Sequence, residues 1–256
     1  MSIFQSSNPT LSEKIFNRSL DNQDAGAMTV RGSIQKFGFL LLMVLAGAAY
    51  TWKLYYELKV PTMMTLMWVG LIGGLVCGLV ISFKPTTARW LSPAYGLLEG
   101  LMLGAFSAII NDNFKAKYPD IVLQAVLLTF AVAFSMFLLY NFRIIKPTQK
   151  FKAIIISASF AILLLYVVYW VLRIFHINIP FMSWTDASPL GIGINLFVIA
   201  IAALSLILDF ERIEVGAQMG APKYMEWYGA FGLLVTMVWL YIQILKLLSR
   251  IASSRN

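Results

Sequence analysis

Residues 188–248 read SPLGIGINLFVIAIAALSLILDFERIEVGAQMGAPKYMEWYGAFGLLVTMVWLYIQILKLL. Two apolar segments, Pro189–Asp209 and Trp227–Leu248, flank the charged run Asp209-Phe-Glu-Arg-Ile-Glu214 and a short linker, Val215–Tyr224, which holds Gly216, Gly220 and Pro222. Each segment is near the ~20 apolar residues that a helix needs to cross a bilayer. The charged run falls at, or just inside, the end of a hydrophobic span, where carboxylates are expensive. The stretch predicts two antiparallel transmembrane helices, and any function should be built around their acids.

The rest of the chain repeats this pattern. Of its 256 residues 59% are hydrophobic and 12% charged, with a mean hydropathy of +0.76. Soluble domains carry about 25% charged residues, so this composition cannot build a water-facing surface. Further apolar segments run over Phe37–Trp52, Thr62–Phe83, Leu91–Ile110, Ile121–Tyr140 and Phe151–Phe175. Long apolar runs without strict alternation argue for helices rather than barrel strands. The expected fold is an all-α polytopic membrane protein: a seven-transmembrane-helix bundle over 36–256 behind a polar tail over 1–35. The tail lacks the basic-then-apolar pattern of a cleavable signal, and a short helix is expected around Leu11–Leu20. Trp52, Tyr55 and Tyr56 read as an interfacial aromatic belt.

Lys and Arg in the loops set the orientation. More of them fall on the side that carries the tail, and the cluster Arg143, Lys146, Lys150 and Lys152 is the strongest single vote for a cytoplasmic amino terminus. Seven spans then put the carboxy terminus outside. Lys246, Arg250 and Arg255 argue mildly against that, which leaves a re-entrant last segment open. The net charge of +8 reads as basic loops facing an anionic leaflet rather than a nucleic-acid surface. The single cysteine, Cys77, cannot form an intrachain disulfide, and the single histidine, His176, leaves no His-rich metal site.

Two four-residue glycine tracks, Gly70/Gly74/Gly78 and Gly96/Gly100/Gly104, predict a close seam between the second and third spans. Glu99 lies between the glycines of the second track, with Ser92 and Pro93 as the expected helix start, about 9 Å away at ~1.5 Å per residue. With the last hairpin centred near Gln218, Asp209 and Glu226 come to the same level on adjacent helices. Three acids, Glu99, Asp209 and Glu226, are therefore expected to converge near the cytoplasmic face. Arg212 is placed to pair with Asp209 one turn on, while Glu211 and Glu214 read as headgroup-edge charges. Acids clustered in a low dielectric repel one another, which suits a proton sensor. They can also hold a hard cation such as calcium, with Asp209 and Glu226 as the expected weak ligands. No cofactor is expected beyond calcium as a transported ion.

At these residues the chain resembles a known family. Tyr95-Gly-Leu-Leu-Glu-Gly-Leu-Met-Leu-Gly104, Leu208-Asp-Phe-Glu-Arg-Ile213 and the final Trp239-Leu-Tyr-Ile-Gln-Ile-Leu-Lys-Leu-Leu248 are similar to the Bax inhibitor-1 family of seven-helix membrane proteins. The resemblance covers about Lys36 to Leu248. The run Gly220-Ala-Pro-Lys-Tyr-Met-Glu-Trp-Tyr-Gly-Ala-Phe-Gly232 resembles a bacterial subgroup, which implies the cytoplasmic (inner) membrane. The resemblance implies a central, mostly apolar helix wrapped by the others, and a pH-dependent calcium leak closed by a pair of aspartates in the last two spans. Asp209 matches the first aspartate. The second falls where this chain has Thr236, so Glu226 or Glu99 is the expected carboxylate partner.

A pH-gated cation leak is the leading expectation. The competing one is a non-conducting regulatory protein that binds a membrane protease or stress-response partner through the tail or the linker Gly216–Lys223. An enzyme is not expected, since the chain has no His-Glu-x-x-His metal motif and no Gly-x-Ser-x-Gly nucleophile.

Overall fold

The computed structural model describes residues 26–115, 118–177 and 179–254. The helix expected around Leu11–Leu20 lies outside the described residues. Among them, 7 helices are long and apolar enough to cross a membrane. They are α1 (Val30–Tyr56), α2 (Val60–Phe83), α3 (Ala88–Phe114), α4 (Ile121–Asn141), α5 (Gln149–Ile174), α6 (Pro189–Gln218) and α7 (Met225–Ser253). Two single 3-10 turns, Pro85–Thr87 and Pro180–Met182, precede α3 and α6. The face on which α1 begins is called the near face, and the opposite one the far face.

Local chemistry sets the helix ends. Thr29, Thr148 and Ser188 cap α1, α5 and α6 through side-chain oxygens that accept from Gly32 N, Phe151 N and Gly191 N. Pro189 follows its cap at the first helical position, where a missing N–H leaves nothing unpaired. Leu58, Asp120, Arg143 and His176 turn the chain at positive φ between helices, and Gly220 does so between α6 and α7. Of these five, Gly220 alone takes that backbone without a Cβ clash.

Three boundaries differ from expectation. The first helix starts at Val30, inside the segment expected as tail, because Thr29 caps it and the polar residues Arg31, Ser33 and Lys36 wind into its first turns. The third begins at Ala88, so Pro93 is inside the helix and Ser92 is a buried first-turns residue rather than a cap. Glu99 is accordingly eleven residues, about 17 Å, from the helix start instead of about 9 Å. Finally, α7 is one unbroken helix of 29 residues, about 43 Å long. That length excludes a re-entrant last segment and puts its carboxy-terminal end on the far face.

The bundle is organised around α7, of whose apolar window 67% is buried, against 50% for α3 and 44% for α6. By the same measure α2, α4 and α5 are only 17%, 17% and 11% buried, which makes them the lipid-facing wall. The glycine tracks serve two seams rather than one. On α2, Gly70 faces the Leu98 carbonyl and Gly74 the Glu99 carboxylate, as a second–third seam requires. On α3, Gly96, Gly100 and Gly104 face the Leu40, Val44 and Ala48 carbonyls of α1 instead. The reason is that the two tracks of α3 and α2 share a spacing, which brings backbones close, but spacing alone does not choose the partner helix.

Candidate functional site

Asp209, buried on α6, receives a hydrogen bond from Thr236 Oγ1 on α7 at 2.6 Å and faces Arg212 Nη1 at 3.3 Å. The Arg212 side chain is 66% exposed, so it reaches from the carboxylate toward the surface. Asp209 lines two cavities at once. One, of about 490 Å³, is bounded by Gly74, Tyr95, Glu99, Phe231 and Thr236; the other, of about 460 Å³, lies toward the near face, bounded by Met28, Lys152, Gly216, Met225 and Gly229. Gly232 lines both, and a Cβ there would meet nothing within 4 Å.

Glu99 comes to the first of these cavities from α3. Tyr95, one turn earlier, turns its hydroxyl to the Glu99 carboxylate and stacks edge-on against Phe231, with ring centroids 4.9 Å apart. The bare surface of Gly74 leaves room for the carboxylate, which would stand 3.1 Å from a Cβ at that position. Glu99 and Asp209 thus share one cavity, as the sequence suggested.

Glu226 does not join them. Its carboxylate is fully buried against the first turn of α1: Thr29 donates to Oε1 through both its backbone N–H and its hydroxyl, at 2.9 Å each. Lys36 pairs with Oε2, and Lys223 approaches Oε1 at 3.5 Å. Any Cβ at Gly32 would collide with this carboxylate. The expected Asp209–Glu226 pair, and a calcium held between them, is corrected here. The hairpin does not centre on Gln218, because α6 remains helical through that residue. The connection runs from 219 to 224, and Pro222 rather than Gln218 is the pivot. Asp209 then lies level with Thr236, ten residues or about 15 Å deeper along α7 than Glu226. Among the described residues no group of three or more His, Cys, Asp or Glu side chains could hold a metal ion.

The edge charges are paired on the near face. Glu211 meets Lys152 at 2.7 Å, and Glu214 meets Arg143 at 2.6 Å, Gln218 at 3.2 Å and the Tyr140 hydroxyl. They brace the α4–α5 connection against α6.

A second polar group stands at the far end of α7, where sequence reasoning assigned no site. Asn195 Nδ2 donates to Gln243 Oε1 and to its carbonyl, at 3.2 Å each, while Gln243 Nε2 donates to the Tyr166 hydroxyl at 3.1 Å. Arg250 donates to the carbonyls of Phe181, Ser183 and Gly191, tying the end of α7 to the start of α6. Lys246 lies 5.8 Å from the ring centroids of both Tyr166 and Trp184. The signal was legible, since Thr236, Gln243 and Arg250 recur at seven-residue steps and so share a helix face. Between the two polar ends the core is apolar, with Leu206 and Leu240 at 0% exposure beside Ala202, Ala203 and Met237. The central helix is apolar in its middle and polar at both ends.

A family model described as Bax inhibitor 1 like matches residues 8–253. No curated protein matches the chain.

Proposed function

The chain belongs to the Bax inhibitor 1 like family, and on that footing we propose that it is a proton-gated cation leak, with calcium the leading ion. The observation that carries this reading is Asp209 standing in the wall common to two cavities, with Glu99 on the first. A carboxylate in that position faces the near-face cavity on one side and, on the other, the groove that also holds Glu99. Protonation removes its charge and weakens its hold on Arg212 and Thr236; ionisation restores both. The apolar block of Leu206, Leu240 and Met237 beyond it supports a closed state, since a hard cation cannot shed its water there without replacement oxygens. Conduction requires that block to part.

Thr236 supplies a neutral donor where the resemblance implies an aspartate, so a single α6 carboxylate carries the hairpin's proton response, with Glu99 the second carboxylate. Glu226 serves another role. The basic Arg143, Lys146, Lys150 and Lys152 on the near face support a cytoplasmic near face in a bacterial inner membrane.

The test is calcium efflux from proteoliposomes holding the purified full chain, followed with an indicator dye over a pH series. The expected result is a pH-dependent flux whose pH dependence disappears in Asp209→Asn. A wild-type protein that passes no calcium and no protons at any pH overturns the leak reading. It would leave the family's regulatory role, read by capture of a membrane protease that shares the bilayer.

A further inference from the structure

Gly26–Thr29, the segment before α1, crosses the near-face end of the second Asp209 cavity. Ala27 forms an antiparallel bridge with Pro222, and Met28 N donates to the Ala221 carbonyl at 2.7 Å. Met28 itself is 5% exposed and lines that cavity together with Gly216 and Gly229. Its thioether fits against bare backbone on both sides. A Cβ at Gly216 would stand 3.0 Å from Met28 Sδ, and one at Gly229 would stand 3.6 Å from Cε. Two glycines from different helices make a slot that Met28 enters, with the Ile213 side chain closing it on the Gly229 side.

The segment is held at one charged point. Thr29 both caps α1 and donates to Glu226, while Lys36 from the second turn of α1 and Lys223 from the α6–α7 connection supply the countercharge. Apart from this carboxylate and the short bridge, its attachment is the thioether in the slot. A fully buried carboxylate needs such partners, and losing them is costly, so closure depends steeply on that one side chain.

We propose that Gly26–Thr29 is a strap that closes the near-face mouth of the Asp209 cavity, with Met28 as the plug and Glu226 as the clasp. Release of the clasp withdraws Met28 from between Gly216 and Gly229 and lets water and ions reach Asp209 from the near face. The closure stands on these contacts alone; only its consequence for flux rests on the reading of Asp209 given above.

The experiment uses Val215→Cys in a Cys77→Ser background, because position 215 lines the second cavity and not the first. The full chain is placed in lipid nanodiscs and reacted with a charged, membrane-impermeant methanethiosulfonate. Met28→Gly and Glu226→Ala are each expected to speed labelling by about tenfold, equivalent to about 1.4 kcal/mol of lost closure. Lys59→Gln, an exposed far-face change, should leave the rate alone. Equal labelling in the parent and in Met28→Gly overturns the strap, and that variant decides alone if Glu226→Ala does not fold. A second arm locks the strap. Facing residues of an antiparallel bridge lie about 4.5–5.5 Å apart, within disulfide reach, so Ala27→Cys with Pro222→Cys in the Cys77→Ser background should form a disulfide. Flux should then fall on oxidation and return on reduction. Flux unchanged by the lock also overturns the strap, whereas flux absent from the wild type overturns the leak reading and leaves labelling to judge the closure.

Discussion

Thr236 donates its hydroxyl to Asp209 across the α6–α7 seam at 2.6 Å, and the bond defines which rungs of the hairpin face each other. The same threonine keeps an α-helical bond to the Gly232 carbonyl at 3.3 Å, so its oxygen is shared between its own helix and the neighbouring carboxylate. Valine at 236 keeps the shape and removes the donor. Thr236→Val should lower stability by about 1.5–3 kcal/mol, the worth of a hydrogen bond to a charged acceptor, while Thr236→Ser should stay near wild type. Thermal unfolding in detergent measures both.

Glu99 and Asp209 share one cavity, so their effects on flux should not add. In proteoliposomes the double variant Glu99→Gln/Asp209→Asn should match the stronger single variant. Multiplying single effects would mean that the two carboxylates act on separate paths.

The Glu226 clasp makes a stability prediction that is independent of transport. Glu226→Ala leaves Lys36 and the two Thr29 donors facing an empty buried space and should cost about 3 kcal/mol. Glu226→Gln keeps an acceptor for Thr29 and should lose less. By contrast, Arg143→Ala removes a largely exposed partner of Glu214 and should cost under about 1 kcal/mol. The ordering is read from unfolding temperatures of the three variants.

Gly100 lies against the Val44 backbone, where an added methyl has no side chain to displace. Gly100→Ala should therefore destabilise by about 1–3 kcal/mol and loosen α1 from α3. Gly38, on α1 with open space around it, is the matched control, and Gly38→Ala should be neutral or slightly stabilising. Equal effects at the two positions would contradict the α1–α3 seam.

His176 turns the α5–α6 connection at φ 59. A left-handed backbone costs a non-glycine residue roughly 1–2 kcal/mol, so His176→Gly should raise stability by about 1 kcal/mol after the entropy that glycine loses on folding. The gain should show as a higher unfolding temperature with unaltered pH dependence of flux.

What the sequence determined by itself was the medium and the elements. Apolar runs of bilayer length dictate helices in lipid, because no other open structure satisfies its backbone there. Buried charge is equally legible: an acid such as Glu99 or Asp209 inside an apolar run needs a partner or a wet cavity wherever its helix goes. Partner choice belonged to the tertiary structure. Equal distance from a turn gives depth only if the turn is known, and the helical continuation of α6 to Gln218 moved the pivot to Pro222 and the partner of Asp209 from Glu226 to Thr236. Likewise, glycine spacing announced close backbones, but which helix approached Gly96, Gly100 and Gly104 depended on how α1, α2 and α7 divide the faces of α3. The tail showed the limit most clearly. Thr29 and Lys36 look like soluble residues beside an apolar run, and only folding brings them to a carboxylate about 200 positions away.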